Sequence, residues 1–560
     1  MKNLLYISII LLTGMLYASC EKLVEVDPDY LEKTEDYFDK KTDIDNAARG
    51  MYDGLQNAVE HLLVWGEVRG DLVRPGTGAQ PDLLDLFSFQ PTSTNKFCDW
   101  GGMYDVINRA NLIIKYAKQV EDKDFQFSED EKAQYEAEAK NVRALCYFYL
   151  VRTFGDVPLI LEPYESITDT RVFNPVAQET VLDTIMYDLK AIEGIERTYP
   201  QEVVDGNDNS SVYTSRMKAI TNLCLQADVH LWRNEYELAV EACEKAINWN
   251  QERYSIGTYQ DANVCYGNKR GPKFSWYKIF AANANLKPES IFELQFQYST
   301  PDLNILQEYT AKRSIPGGKY VIKPSVKCIE AFEEQVYRGR GGETWWGDYF
   351  RGHDVSYKGI YNKKTHRVLD KKNTEIFKYQ VMTSNGSRRE EYQSAANWIV
   401  YRIGDLYLMY AEALNRAGRI KEALLILDGD QSVGLGAWSD FNVPGVEDPP
   451  MGIRKRVLLE RHLNPESDPL PDMLTLEDWI LEERALELAF EGKRWFDLVR
   501  VARRGRPEVL VDNVLAANSA EDAVSIGASL AEPANWFLPY HQDAKKYFTV
   551  KVDEAGNTGE

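Results

Sequence analysis

The sequence has little cysteine, little histidine and a shortage of positive charge, and each deficit excludes a class of protein. Seven cysteines in 560 residues are far too few for a disulfide-stabilised scaffold, and no Cys-x-x-Cys spacing supports a zinc or thioredoxin-like site. Lysine and arginine number 65 against 87 aspartates and glutamates, which gives a net charge of −22. An acidic surface repels phosphate groups, so general nucleic-acid binding and a polybasic membrane patch are both disfavoured.

Catalytic and metal-binding motifs are also missing. The chain contains no His-Glu-x-x-His, Gly-x-Ser-x-Gly or Walker A motif, and its six histidines show no metal-ligand spacing. Residues 205–211 (DGNDNSS) could supply oxygen ligands to a structural Ca²⁺, but they depart from the EF-hand order. A solvated turn is the favoured interpretation there, and we predict no cofactor and no metal site. A carboxylate pair for glycosidic cleavage stays open, since the acids are numerous.

The N-terminus has the pattern of an export signal. A short positive start is followed by an apolar run from Leu4 to Tyr17, which is too short for a confident membrane span. The sequence Leu-Tyr-Ala-Ser-Cys that ends at Cys20 resembles a bacterial lipobox, in which the cysteine thiol carries the lipid. We therefore predict a lipoprotein signal peptide over residues 1–19, lipidation of Cys20 and an extended tether over residues 20–32. An ordinary signal with an incidental cysteine is the alternative.

Most of the strong hydrophobic periodicity is helical, so the sequence predicts a mainly α fold. The predicted helices cover residues 104–120, 131–154, 177–195, 214–232, 235–248, 398–417, 419–427, 476–490 and 493–503. Two pairs of these helices are separated by a tight turn and carry small residues at close-packing positions, which resembles tetratricopeptide units. Generic antiparallel helix packing is the alternative. Cys146, Cys224 and Cys243 lie on apolar helical stretches and are predicted to be buried free thiols.

The middle of the chain differs from both ends. Residues 254–395 are rich in Gly, Asn, Lys, Trp and Tyr, and only residues 290–297 alternate as a short strand does. We predict one domain over residues 33–560, with helical parts at 33–253 and 396–560 and a loop-rich, minor-β ligand-binding region at 254–395. Function is expected on such loops, which the helical scaffold would support.

Clusters of aromatic and polar residues in predicted loops are the candidate ligand site. Flat aromatic rings stack on the apolar faces of sugars, while nearby Asp and Arg hydrogen-bond the hydroxyl groups. We expect at least one of the loop tryptophans to stack on a sugar ring; alternatively they anchor their loops to the scaffold. The candidates are Trp65, Arg69, Asp71, Trp276, Tyr277, Trp345, Trp346, Asp348 and Arg351.

Several segments resemble the SusD/RagB family of outer-membrane lipoproteins. They are EERALELAFEGKRWFDLVR at residues 482–500, YRIGDLYLMYAEALN at 401–415, EAKNVRAL through FGDVPL at 138–159, and WFLPY at 536–540. On the first segment, Glu487 and Glu491 are spaced to meet Arg484 and Arg494 along the helix. The segments read as scaffold rather than as a catalytic site.

The resemblance implies a SusD-like fold in which tetratricopeptide-like helices support a variable, loop-built ligand surface. It also implies a non-enzymatic lipoprotein on the outer membrane of a Gram-negative bacterium, exposed at the cell surface. Such a protein would capture glycans and pass them to a SusC-like TonB-dependent transporter. Three alternatives remain open at this point: a surface glycoside hydrolase, a peptide-binding relative and a tetratricopeptide-type protein adaptor.

Overall fold

The fold is known from a computed structural model. It describes residues 37–120, 126–165, 171–195, 215–253, 279–280, 289–296, 305–315, 317–338, 344–348, 351–356, 368, 370–380, 396–429, 452–457, 459, 462 and 468–545. Within these ranges helices predominate and the strands are short, so the predicted mainly α class is confirmed.

The helices follow one another along most of the described chain. They are α1 Lys41–Asn57, α2 Val59–Leu63, α3 Pro81–Phe87, α4 Gly101–Val120, α5 Glu129–Phe154, α6 Gln178–Ala191, α7 Ala219–Trp232, α8 Tyr236–Arg253, α9 Leu306–Thr310, α10 Val326–Glu333, α11 Ile403–Arg416, α12 Ile420–Asp428, α13 Ile453–Arg456, α14 Met473–Glu487, α15 Arg494–Arg503, α16 Pro507–Ala516, α17 Ala520–Leu530 and α18 Gln542–Lys545. A π-helix, Val64–Val68, continues directly from α2, and 3₁₀ turns occupy Lys96–Cys98, Arg351–Asp354 and Pro533–Trp536.

The strands pair two by two, and every described pair is antiparallel. They are β1 Val73–Pro75 with β5 Ile322–Pro324, β2 Val157–Pro158 with β3 Pro175–Val176, β4 Ser290–Leu294 with β8 Trp398–Arg402, and β6 Val336–Arg338 with β7 Thr344–Trp346. Strand β4 confirms the strand predicted from the alternation in residues 290–297.

Helix α5 shows how local sequence sets the length of an element. The Ser128 side chain accepts a hydrogen bond from the Glu131 backbone N–H, and the Glu131 side chain accepts one from the Ser128 backbone N–H, which together form a capping box. The helix ends at Gly155, whose φ of 76° is unfavourable for residues with a Cβ. From Tyr135 onward most of its side chains are buried, because α5 lies between α4 and α6.

Two helix pairs have the predicted form of helix, tight turn and helix. Helix α7 turns into α8 through Asn234, and α11 turns into α12 through Gly418; both residues have positive φ. In each turn, the backbone N–H of this residue and that of the next residue donate hydrogen bonds to carbonyl oxygens near the end of the first helix, as in a Schellman motif. Because α8 also packs against α11, the two pairs form one layer. The predicted buried free thiols Cys146, Cys224 and Cys243 are confirmed.

The predicted helix over residues 398–417 is wrong in its first five residues. Residues 398–402 form β8, which pairs with β4, and α11 begins only at Ile403. The sequence Trp-Ile-Val-Tyr-Arg consists largely of β-branched and aromatic residues, so its β-propensity agrees with the pairing. The apolar pattern is equally compatible with a buried helix, and only the distant partner strand decides between them.

Charged side chains form an extensive buried network beneath the C-terminal helices. Arg402 binds Glu289, Glu487 and Glu491, and Arg484 binds Asp405 and Asp497. The prediction that Glu487 and Glu491 pair with Arg484 and Arg494 along the helix is therefore wrong. Their partners are Arg351, Arg402 and Lys378, which come from other parts of the chain.

Burial and neighbouring charge act in opposite directions on the acids of this network. Burial favours the neutral form of Glu491, but Arg402 and Lys378 outweigh it and hold its pKa below the usual range. Burial also favours the neutral form of Asp405, but Lys493 and Arg484 outweigh it and lower its pKa to about 2. These carboxylates are therefore ionised at neutral pH despite being buried.

No helix in the described ranges is both long and apolar enough to cross a bilayer.

Candidate functional site

The first predicted cluster, Trp65 with Arg69 and Asp71, lies in the core. All three side chains are at most 2% exposed. The Trp65 indole N–H donates to the Phe97 carbonyl oxygen at 2.8 Å, and its ring meets Phe154 edge-on. Trp65 and Asp71 are therefore corrected from ligand contacts to structural residues, and Arg69 is reached only from the cavity described below.

This burial has a specific cause, which is the fit of residues 64–71 against residues 491–494. Gly66 lies so close to Gly492 that a Cβ on Gly66 would be 1.9 Å from the Gly492 carbonyl oxygen. A side-chain oxygen of Glu67 accepts a hydrogen bond from the Gly492 backbone N–H at 2.9 Å. Asp71 binds the Arg494 guanidinium at 2.6 and 3.0 Å. Two segments more than 400 residues apart in sequence thus form one packed unit.

The second predicted cluster is placed on the β6–β7 hairpin. Trp346, the last residue of β7, is 57% exposed, and it is the one exposed tryptophan among the side chains that the structure describes. Trp345 is placed by its backbone in β7, opposite Tyr337. Both tryptophans stay predicted ligand contacts, and the exposure of Trp346 is what a stacking residue requires.

Asp348 and Arg351 anchor this hairpin rather than face a ligand. Both are fully buried. The Arg351 Nε donates to Asp348 at 2.6 Å, and its Nη1 donates to Glu483 and Glu487 on α14 at 2.5 and 2.8 Å. The expectation that the two residues hydrogen-bond sugar hydroxyls is therefore corrected, because both side chains are buried and bind each other and α14.

The remaining predicted sites lie outside the described residues. These are Cys20, Trp276, Tyr277 and the Ca²⁺ candidate at residues 205–211. Within the described ranges no group of three or more His, Cys, Asp or Glu side chains is arranged to hold a metal ion.

A cavity of about 400 Å³ lies where the end of α5 meets the C-terminal segment 534–540. We call it the C-terminal cavity. Its apolar wall is largely aromatic and consists of Phe89, Phe154, Phe537 and Tyr540, with Pro91, Leu538 and Pro539 beside them. Two hydrogen bonds join the C-terminal segment to the end of α5 and the residues after it: Leu538 N–H to the Thr153 carbonyl, and the Tyr540 hydroxyl to the Asp156 carbonyl, both at 2.8 Å. The volume lies within the usual range of roughly 300–1,000 Å³ for ligand pockets.

Phe89 reaches this cavity through an unusual backbone conformation. It follows α3 with φ of 57°, and the Phe89 and Gln90 N–H groups return to the Leu86 and Asp85 carbonyls. This is a Schellman turn with phenylalanine at the position that glycine normally takes. Its ring lies 5.7 Å from that of Trp495. The strained backbone is of the kind that clusters at ligand sites.

Polar groups complete the lining of the cavity. They are Arg69, Gln90, Asp156, Gln178 and Asn535, of which only Arg69 is buried. The Asp156 carboxylate accepts the Gln178 backbone N–H at 2.8 Å at the beginning of α6, where the helix dipole favours negative charge. Aromatic surface together with a few amides and charges is a combination suited to a sugar ring.

The sequence interpretation missed this cavity as a site. The segments FGDVPL and WFLPY carry the family resemblance, and they also contain the lining residues Phe154, Asp156, Phe537 and Tyr540. A signal was present, because both segments combine aromatic residues with proline in places that interrupt a helical pattern. Their meeting in space could not be predicted from periodicity.

Comparison with known proteins places this fold in a family. Residues 332–557 match the model of the SusD family, and residues 24–213 match a model described as "Starch-binding associating with outer membrane". The chain belongs to the SusD family. This SusD-family protein is 27% identical to SusD-like protein P38 of Formosa agariphila over 517 residues, which cover 89% of this chain and 91% of the relative.

Solved structures of the family have the same fold. A SusD superfamily protein from Bacteroides vulgatus aligns with a TM-score of 0.67 at 18% identity, covering 91% of this chain and 98% of that one. Surface glycan-binding protein A from Bacteroides uniformis aligns with a TM-score of 0.63 at 19% identity, covering 90% and 98% of the two chains. The predicted SusD-like fold is thereby confirmed.

Proposed function

We propose that this SusD-family protein is a cell-surface lipoprotein that binds oligosaccharide or polysaccharide and delivers it to a SusC-like TonB-dependent transporter. Family membership is the observation that carries the proposal. It is supported by the name of the Bacteroides uniformis neighbour, a surface glycan-binding protein, and by the outer-membrane association in the description of the matched N-terminal family model.

The geometry supports binding of a glycan in two ways. Trp346 presents an exposed indole on a hairpin whose base is fixed by the buried pair Asp348 and Arg351. The C-terminal cavity offers four aromatic side chains with amides at its rim. A preorganised aromatic surface loses little conformational entropy when a sugar stacks on it, which is favourable for affinity.

The anchor in this proposal is the lipid on Cys20. Its support is the Leu-Tyr-Ala-Ser-Cys sequence, followed at once by Glu21 and Lys22. Several acyl chains on one cysteine would hold a protein at a membrane stably, whereas one chain gives only marginal binding. Electrostatic attachment to an anionic membrane could not replace the lipid anchor, because the net charge of the protein is negative.

Replacing Trp346 by alanine tests the binding surface. We expect Trp346→Ala to weaken binding of the protein's preferred oligosaccharide about tenfold or more, since stacking on one aromatic ring contributes roughly 1–3 kcal/mol. Thermal stability should change little because the side chain is 57% exposed. The measurement is calorimetric titration of the purified variants.

Tyr187→Ala is the matched control for this experiment. Tyr187 is an aromatic residue on α6 that is 74% exposed, and the proposal gives it no role in binding the sugar. Its loss should leave oligosaccharide affinity unchanged. Equal affinities for the wild type, Trp346→Ala and Tyr187→Ala would remove Trp346 from the site.

A further inference from the structure

Arg69 differs from the other buried arginines near the centre of the molecule. Arg351, Arg402, Arg484, Arg494 and Arg500 each bind at least one carboxylate. Arg69 is 2% exposed and forms no ion pair with any carboxylate in the described ranges. A buried charge without a counter-ion is costly, so its retention calls for an explanation.

The hydrogen-bonding capacity of Arg69 is also incompletely used. Its Nη1 donates to the Trp536 carbonyl oxygen at 2.8 Å, and its guanidinium carbon lies 4.3 Å from the centre of the Trp495 ring. Its Nη2 has no hydrogen-bond partner among the described residues. Arg74, by contrast, donates to the carbonyl oxygens of Gly70, Val73, Val514 and Ala517.

Arg69 lines the C-terminal cavity, and a second arginine stands behind the cavity wall. The Arg503 Nη2 donates to the Gln178 side-chain oxygen at 3.2 Å, and Arg503 likewise has no ion pair in the described part of the chain. Asp156, the one carboxylate in the lining, is held at the beginning of α6 by the Gln178 N–H. Among the lining residues Arg69 is thus the one cation and Asp156 the one carboxylate, and Arg503 adds a second cation behind the wall.

We propose that the C-terminal cavity binds the ring of a sugar that carries an anionic substituent, with the negative charge close to Arg69 and the ring against the aromatic wall. Carboxylate and sulfate groups share the chemistry that a guanidinium recognises. This inference rests on the proposed glycan binding and adds a preference to it: an acidic sugar over its neutral counterpart.

Glucuronate and glucose are the matched probes, because they differ only in the carboxylate at C6. In calorimetric or NMR titrations of the purified full-length protein, we expect glucuronate to bind about tenfold more tightly than glucose. Glucose 6-sulfate shows whether the preference is for a carboxylate or for negative charge in general. The preference should shrink as salt is raised, since ions screen the attraction.

Three variants locate the effect. Arg69→Met removes the charge directly and should abolish the preference, although it alters a buried position. Asn535→Glu adds a negative charge at the exposed rim at the loss of one exposed hydrogen bond to the Ser529 carbonyl, and it should weaken glucuronate binding about threefold while leaving glucose unchanged. Tyr187→Glu is the control: it adds the same charge nine residues beyond Gln178 on α6, about 13 Å away along the helix, which is more than a screening length.

Three results would each overturn the inference. They are equal affinity for glucuronate and glucose, no measurable binding of either sugar, and equal effects of Asn535→Glu and Tyr187→Glu. Failure of the proposed function would show differently, because then no oligosaccharide, neutral or acidic, would bind the protein. If the protein binds glucuronate more tightly than glucose and Asn535→Glu reduces this difference, the inference is supported whether or not Arg69→Met folds.

Discussion

At the scale of single residues, the ion pairs of this protein divide into those that are buried and those that lie on the surface. Arg402 belongs to the first group. It contacts Glu487 and Glu491 at 2.9 to 3.0 Å and Glu289 at 3.3 Å. Arg49 belongs to the second group, since its side chain is 68% exposed and pairs with Asp45 one helical turn earlier.

These two arginines should respond very differently to substitution. Arg402→Met leaves buried carboxylates without their cation and should lower the free energy of unfolding by about 3–5 kcal/mol. Arg49→Met should cost less than about 1 kcal/mol, because exposed pairs contribute little. Chemical denaturation of the two variants beside the wild type measures the difference. Equal losses would contradict the structural role given to the buried network.

Glu67 predicts a pH dependence of stability. Burial raises its pKa to about 8, against the lowering effects of the Gly492 and Lys493 N–H groups and of Lys378 and Arg494. The folded protein therefore holds a proton on Glu67 between the unfolded pKa of about 4.5 and the folded pKa of about 8, where the unfolded chain has released it. The contribution of this residue to stability is complete below pH 4.5 and is lost as the pH rises through 8.

Glu67→Gln removes this titration and keeps the side-chain shape. We expect the variant to gain stability relative to the wild type as the pH is raised from about 5 to about 8, by up to roughly 1.4 kcal/mol per pH unit. Thermal unfolding of both proteins over this pH range is the measurement. A constant difference across the range would mean that Glu67 is ionised throughout.

Residue types in a sequence indicate chemistry better than they indicate location. A sugar site combines aromatic and charged side chains, and the sequence shows this combination at Trp65, Asp71, Asp348 and Arg351. Each is nevertheless occupied by a protein partner, such as Arg494 for Asp71 and Glu487 for Arg351. Arg494 and Glu487 lie more than 100 residues from Asp71 and Arg351, so no local pattern could separate these two buried anchors from ligand contacts.

At the scale of elements, the approach of Gly66 to Gly492 joins the π-helix to the turn before α15. Gly66→Ala should destabilise the protein by several kcal/mol, because its Cβ would lie 1.9 Å from a backbone oxygen that cannot move aside easily. Gly102→Ala is the control, since a Cβ there would meet nothing within 4 Å. In helix α4 that change should be neutral or stabilising by up to about 1 kcal/mol.

Thermal denaturation of the two alanine variants is the measurement. Similar melting temperatures for Gly66→Ala and Gly102→Ala would show that the two segments do not pack as closely as the structure has them.

The long helices were predictable from sequence and the short elements were not. Helix α5 has a capping box at one end, Gly155 at the other and a largely apolar second half. Strand β8 has no such local signal, because its residues become a strand only when they pair with β4, more than 100 residues away. The π-helix over residues 64–68 likewise depends on the residues packed against it.

At the scale of the whole molecule, the N-terminal and C-terminal parts are closely interlocked. Arg69 donates to the Trp536 carbonyl, Arg74 donates to the Ala517 carbonyl, and Asp71 binds Arg494. The C-terminal cavity forms where these parts meet. The sequence shows the segments that line this cavity. It does not predict that they meet, because their contact is formed only by the tertiary fold.

Binding of a glycan without cleavage is the central claim. Its most direct test is calorimetric titration of the purified full-length protein with maltoheptaose, a β-glucan oligosaccharide, a xylan oligosaccharide and a uronate-containing oligosaccharide, with chromatography of each sugar afterwards. The account predicts saturable binding of at least one of these sugars and recovery of that sugar at its original length. Shortened products, or no heat of binding with any of the four, would contradict it.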